Sequence, residues 1–427
     1  MKVELQINNS TSPGARFVSW APSPCRIRMT DPTGAIGPLV NVKITGVSVA
    51  SGGVVVFRSG TAGAFSSSLT VAVPRNGTSV PFFVAGRFGR PSVNNGDVKI
   101  EARVAVPVVN PVPPPFPPLP PLTGTLVGSV RLMVRVRKNA NTLTPGERDR
   151  FVAAFAQLNN QGAGRFADFR NMHVAVSSPQ AHFNAGFLPW HRAYLLDLER
   201  ELQAIDASVA LPYWRFDQPA PNIFTGDFLG SSNAMGTVQF SATNPLQFWT
   251  TDGVQGINRQ PFFNTAAAPP GLLNEAQTLA LGGAGNLYAS FRAMEGNPHG
   301  QAHVSFDGSI SQIPTAAKDP LFFLLHCNVD RLWAKWQRLN GRFDPALASS
   351  YDTPGRPPGH NLVDTMWPWN GIITPPRPPT APGGAMAASP CVSAPGSQPL
   401  VQSSLDYQGS VSAASREGFD YDDVRFA

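Results

Sequence analysis

The stretch HFNAGFLPWHRAYLLDLE, from His182 to Glu199, decides how the rest of the chain is read. Two histidines stand nine positions apart in it, and the second, His191, follows Phe187-Leu188-Pro189-Trp190. Beyond it Leu195, Leu196, Leu198, Leu202 and Ile205 recur at spacings of three and four, the period of an amphipathic helix. Pro189 suits the first turn of that helix, where its missing N–H leaves no bond unmade. His191 then projects from the first turn, on the face that carries Leu195 and Leu198. Taken alone, an imidazole on such a face is more often a hydrogen-bonded core histidine than a metal ligand.

The remaining histidines change that balance. The chain has seven: His173, His182, His191, His299, His303, His326 and His360. The first three fall within 19 residues and the next three within 28, with more than a hundred histidine-free residues between the groups. His299 and His303, four apart, share a helix face and are close enough to share a metal. Two sets of three neutral nitrogen ligands suit borderline metals such as copper or zinc better than calcium or magnesium. His173 gains weight as the only histidine upstream of His182. His360, in the loop PPGHN, reads as an exposed loop residue and is left out of the set.

Two long segments carry a family resemblance. His182-x4-Phe187-Leu188-Pro189-Trp190-His191-Arg192-x2-Leu195-x3-Glu199 resembles the first copper-site signature of the tyrosinase family, which includes tyrosinases, catechol oxidases and oxidases of o-aminophenols. Asp319-Pro320-Leu321-Phe322-Phe323-Leu324-Leu325-His326-Cys327-Asn328-Val329-Asp330 resembles the second. The two occur in the family's order, and the resemblance runs from about residue 130 to 427. Many members carry a second histidine where Leu325 stands; it is not the matched ligand. Some cross-link a cysteine two positions before the second histidine of the first site, where this chain has Gln180.

The resemblance implies two copper ions, one held by His173, His182 and His191 and the other by His299, His303 and His326. It implies oxidation of o-diphenols to o-quinones by dioxygen, with ortho-hydroxylation of monophenols as the family's further activity. Three imidazoles per ion leave open positions for an exogenous ligand. Two ions, each changing by one electron, match a two-electron oxidation. A haemocyanin-like dioxygen carrier and an o-aminophenol oxidase are the alternatives on the same copper pair. A dizinc hydrolase fits less well, because neither signature places a carboxylate among the histidines. Glu295, four residues before His299, matches a family glutamate that holds a water near the coppers, although a carboxylate before a helix start is also favoured by the helix dipole. Asn often follows the first histidine of the second site; here Gly300 does, which weighs against hydroxylation and for diphenol oxidation. Ile313, in the loop QIPTA, is expected at the entrance. Arg192, Glu199 and Asp330 read as structural partners.

Composition agrees with a globular, loop-rich protein. The chain has 427 residues, 42% hydrophobic but only 14% charged, with 39 glycines and 43 prolines. The net charge of +6 is scattered, with no basic run that would read nucleic acid, and favours neutral or anionic substrates only weakly. Three cysteines, Cys25, Cys327 and Cys391, make no disulfide framework, and Cys327 reads as a small buried hydrophobe. The N-terminus MKVELQINNS lacks a signal-peptide pattern and no stretch of 18 apolar residues occurs. A cytoplasmic protein without membrane association is therefore expected, export with a partner remaining open. The oligomeric state is unspecified.

In chain order, Val3, Leu5 and Ile7, then Leu69, Val71 and Val73, then Val98 to Val106 alternate, with turns at Asn76-Gly77 and Asn95-Gly96. Residues 1–106 therefore read as a β-sandwich-like domain of structural or docking role. The segment 107–121, PVVNPVPPPFPPLPP, has nine prolines in fifteen residues and reads as a linker over 107–124. Residues 125–427 read as a mainly α catalytic domain with a four-helix bundle, so the chain is a multidomain β + α protein. Val130 to Val136 give one more strand. Thr144-Pro145-Gly146-Glu147 is a capping box, and Asn297-Pro298 and Asp319-Pro320 are helix starts just before ligand histidines. LPYWRF, residues 211–216, brings aromatics beside the first-site helix, and 218–290 reads mainly as loops around the site. Segments near Trp367 and Tyr421 resemble those that close bacterial catalytic cores, and no shielding segment is expected after them.

Overall fold

Alternation with a period of two becomes strand over the first hundred residues. In a computed structural model, which describes residues 1–105, 124–160, 165–173, 178–371 and 385–426, the chain divides into the units Met1–Arg135 and Val136–Ala427. The first unit holds nine strands among its described residues: β1 Lys2–Ile7, β2 Phe17–Val18, β3 Ser23–Asp31, β4 Leu39–Ser48, β5 Val55–Arg58, β6 Ser68–Pro74, β7 Val80–Gly86, β8 Val98–Val104 and β9 Leu126–Val134. One sheet has the order β1-β3-β7-β5 and the other β2-β9-β8-β4-β6. Only β2 and β9 pair parallel. Register puts Leu5 opposite Ile27 and Ile44 opposite Ala102, so the buried sets of neighbouring strands share a face. Strands β1 and β9, which belong to different sheets, approach closely: a Cβ on Gly128 of β9 would stand 2.6 Å from the Val3 carbonyl oxygen of β1, so glycine alone fits there.

The domain boundary differs from the sequence expectation. Alternation announces a strand near residue 130 but not its partner, and β9 pairs with β8 and β2 inside the first unit. The boundary therefore falls after Arg135, not at residue 124. The proline-rich stretch 107–121 lies outside the described residues. It joins β8 to β9, two neighbours in one sheet, instead of separating two domains.

In the second unit the capping box forms as its residues require: the Glu147 N–H donates to Thr144 Oγ1 at 3.3 Å and the Thr144 N–H to Glu147 Oε2 at 3.0 Å, opening α1 Pro145–Asn160. Short helices α2 Arg165–Met172 and α3 Ser178–Ala181 lead to α4 Phe187–Ile205. Then come the short helices α5 Glu275–Leu279, α6 Tyr288–Phe291 and α7 Gln301–Val304, and the long α8 Leu321–Asn340. Asp319 caps α8 by accepting from the Leu321 N–H at 2.9 Å, and Gly341 ends it at φ 64°. α4 lies against α1 and α8. Residues 218–290 form short two-stranded ladders and single turns. No helix among the described residues is long and apolar enough to cross a membrane.

Both long helices are buried nearly all round, which forces their charged residues to find partners. Asp330 receives the Arg192 Nε at 2.6 Å, the Arg137 Nη1 at 3.1 Å and the Tyr421 hydroxyl at 2.5 Å. Glu199 receives Arg137 Nη2 at 2.9 Å and the Leu211 N–H at 2.8 Å. Arg192, Glu199 and Asp330 are thus tie points between α4, α8 and the C-terminal segment. Cys327 is buried beside them, its Sγ 3.6 Å from the Leu211 carbonyl, and burial pushes its thiol up to about 12. Tyr213, Trp214 and Phe216 of LPYWRF are buried in the same core.

Candidate metal centre

His173 follows the last residue of α2, His182 follows α3, and His191 stands in the second turn of α4. The ring centroids of His173 and His182 lie 4.9 Å apart, those of His182 and His191 5.4 Å, and those of His173 and His191 5.6 Å. His299 and His303 come from the helical segment that runs into α7, and His326 from α8. Their Nε2 atoms converge, His299 and His303 each 3.2 Å from His326. In each triad one ligand atom per residue lies within 4.8 Å of the others. The triads adjoin, with His191 stacked on His326 at 4.2 Å between ring centres and 14° between planes.

Backbone carbonyls set the orientation of four rings. Nδ1 of His182 faces the Ser178 carbonyl at 3.2 Å, that of His191 the Phe187 carbonyl at 2.9 Å, that of His299 the Glu295 carbonyl at 2.7 Å and that of His303 the Ile310 carbonyl at 2.6 Å. A carbonyl only accepts, so each Nδ1 carries the proton and each Nε2 the lone pair. Burial holds all six imidazoles neutral at pH 7: it pushes His182 and His303 down to about 4 and the other four well below their ordinary value. Lone pairs crowded together in a dry core, with no proton to share, repel. Nε2 of His191 and Nδ1 of His326 are buried without a hydrogen-bond partner, and the Ile313 backbone near His173 makes no well-aligned bond to either of its ring nitrogens. Buried polar atoms left in this state cost about 1–3 kcal/mol each, and a cation bound between them removes the cost. Nitrogens about 2.0 Å from one tetrahedral ion stand about 3.3 Å apart. The donor set therefore fits a borderline metal in each triad.

Apolar rings wall the two triads. Phe322 stacks on His326 at 4.1 Å and meets His173 at 4.7 Å, while Phe187 lies 4.9 Å from His191 and 4.8 Å from His299. A cavity of about 600 Å³ opens beside them, lined by His173, His182, His299, His303 and His326 and also by Glu295, Gly300 and Ile313. Glu295 Oε1 accepts the Phe183 N–H at 2.6 Å, and burial lifts its carboxyl to about 7. Phe183, with φ 62°, sits in the left-handed region that bulky residues avoid, so the carboxylate holds a strained turn beside His182. A Cβ on Gly300 would stand 3.2 Å from the Glu295 carbonyl oxygen, the same atom that accepts from His299.

Two sequence expectations need correction. His360 is not an exposed loop residue: it is 2% exposed, its Nδ1 accepts the Gly186 N–H at 2.9 Å and its Nε2 donates to the Pro179 carbonyl at 3.0 Å. It clamps the turn between His182 and His191 from 174 residues downstream. Gln180 completes the clamp, accepting the Trp367 N–H at 2.7 Å and donating to the Pro358 carbonyl at 3.1 Å. A proline- and glycine-rich composition hides such a role, because nothing local in PPGHN names a distant partner. Asn297 does not cap a helix with its side chain. Its backbone is extended (φ −144°, ψ 121°), and its amide ties down the loop before α5 through Leu273 N and the Gly271 carbonyl. Phe187, Phe322 and Phe183 also escaped sequence assignment. The first two lie inside the signatures, and adjacency to ligand histidines was the available signal.

Residues 163–339 match the family model described as the common central domain of tyrosinase. A tyrosinase of Streptomyces glaucescens is 34% identical over 267 residues, 55% of this chain and 92% of that protein. The grixazone synthase of Streptomyces griseus is 31% identical over 263 residues, 48% of this chain and 85% of that protein. Among solved structures, a functional unit of octopus hemocyanin superposes with TM-score 0.46 at 21% identity, covering 69% of each chain.

Proposed function

The chain belongs to the tyrosinase family, and on that premise we propose that it oxidises o-diphenols to o-quinones with dioxygen. The coarser statement needs no proposal: it is an oxidoreductase that uses dioxygen on phenols and carries two copper ions. We assign one ion to His173, His182 and His191 and the other to His299, His303 and His326. The observation that carries this is the convergence of six neutral imidazoles in two adjoining sets whose Nδ1 atoms face backbone carbonyls or lack a partner. We read α2, α4, the segment 298–304 and α8 as the four-helix frame that presents them.

A bound copper pair supplies the dioxygen-binding centre and the two-electron acceptor. The chain's own residues do the rest. The carbonyls of Ser178, Phe187, Glu295 and Ile310 aim the rings. Phe187 and Phe322 exclude water between the triads and hold the His191–His326 stack. Glu295 lines the cavity with one oxygen engaged by the Phe183 N–H, and the other is left for a water or a phenol proton. Its lift to about 7 suits a group that takes up a proton near neutrality. Gly300 offers no side-chain amide to orient such a water, which supports diphenol oxidation over monophenol hydroxylation. The 600 Å³ cavity beside both triads supports turnover over haemocyanin-like carriage, because it admits a ring as well as dioxygen.

The test is copper loading followed by catechol and L-tyrosine in separate assays. Two coppers per chain, quinone from catechol and a slower response to tyrosine are expected. Zinc in place of copper, or oxygen binding without quinone, would defeat the reading.

A further inference from the structure

Arg292 is the one cation among the described residues that line the cavity. Its side chain is 26% exposed, and its single ion pair runs from Nε to Asp352 Oδ2 at 3.2 Å. That contact is too poorly aligned to be a hydrogen bond, and neither Nη1 nor Nη2 donates to a described residue. Asp352 is itself shared: its Oδ1 receives Arg356 Nη2 at 2.9 Å and the Thr353 N–H at 3.0 Å. One carboxylate thus serves two guanidinium groups, so Arg292 shares its ion-pair partner and keeps its Nη groups for another acceptor. The other acidic groups nearby do not bond those Nη groups. Glu295 forms no ion pair with Arg292, and Asp364 accepts from the Gly359 and Asn361 N–H groups and the Asn361 amide.

The apolar side of the cavity complements this charge. Phe183, Val304 and Ile313 line it and are 77%, 53% and 37% exposed, so that together they make an apolar patch at the cavity. Three exposed apolar groups form a slot for an aromatic ring, and a guanidinium with free N–H groups offers a two-pronged dock for a carboxylate. We propose that Arg292 is the specificity residue of this site and that it selects phenols whose ring carries a carboxylate side chain. The proposal rests on the phenol-oxidising reading above and names the substrate class for it.

The test compares 3,4-dihydroxyphenylpropanoate with its primary amide, which has the same shape and no charge, on the copper-loaded protein. The ratio of kcat/KM for acid over amide is expected to exceed one, to fall about ten-fold in Arg292→Gln and to be largely kept in Arg292→Lys. Added salt should lower the same ratio in the unaltered protein. A merely structural role through Asp352 would lower both substrates equally and leave the ratio alone, and that result overturns the proposal. Calorimetry with 3-phenylpropanoate, which cannot be oxidised to a quinone, is the second arm. Its affinity should drop about ten-fold in Arg292→Gln, and an unchanged affinity overturns the proposal. If neither catechol is oxidised by the unaltered protein, the functional reading fails while calorimetry still decides the role of Arg292.

Discussion

Helices α4 and α8 bury two polar clusters, and the two are built on opposite plans. Arg137, Arg192, Glu199, Asp330 and Tyr421 answer one another with charge-assisted hydrogen bonds of 2.5–3.2 Å. Arg192 also lies 3.9 Å over the Trp333 ring. One residue before Arg192, His191 leaves its Nε2 unanswered by any protein group; four residues before Asp330, His326 leaves its Nδ1 unanswered and its Nε2 against two other lone pairs. The same two helices, at the same burial, thus carry one cluster whose charges the protein pairs, with only Arg192 Nη2 left without an acceptor, and one whose ring nitrogens it leaves open. The first holds the fold together. The second has the form of a site whose missing partner is a metal.

Breaking the second cluster should give the largest functional effect. His191→Ala or His326→Ala is expected to cut catechol oxidation to below about a hundredth and to lower bound copper from two ions toward one. The metal-free protein should lose less stability in urea unfolding than Asp330→Ala does, since the cost is the cavity left by the ring and no ion pair is broken. Full activity in either variant would remove that histidine from the ligand set. Breaking the first cluster should do the reverse. Asp330→Ala leaves Arg137 and Arg192 buried without their shared carboxylate and is expected to destabilise the metal-free protein by about 3–5 kcal/mol. A loss under about 1 kcal/mol in urea would show that the cluster is not the tie it resembles. The smallest effect sharpens the comparison by adding a partner to the incomplete cluster. Gly300→Asn should raise the ratio of monophenol to diphenol oxidation several-fold. Total activity should fall, because the new Cβ presses on the Glu295 carbonyl that orients His299. An unchanged ratio would leave the metal site intact and refute the role given to position 300.

What the sequence revealed follows the same division. The metal centre was legible because its ligands are a rare residue type at short spacings: His299 and His303 four apart, and His191 and His326 each at the start of a periodic helix. The helix starts at Thr144 and Asp319 were legible because a cap is a local bond. The partner of β9 was not, since alternation carries no information about which strand lies alongside. The burial of His360 was invisible for a related reason. Its bonds go to Gly186 and Pro179, and only the folded chain brings residues that far apart together. Asn297 misled because a side chain that can cap a helix can equally pin a loop.

The clamp on the first triad has a consequence for how the protein is made. All six candidate ligands have left the ribosome once Asn340 has, yet the turn between His182 and His191 is held by His360 and Trp367, and α8 by Tyr421. A nascent chain can therefore own every ligand and still lack a rigid cage for the first ion. Metal capture in one defined geometry belongs to the finished polypeptide, and truncation near residue 350 would leave a loose chelator in place of an oxidase.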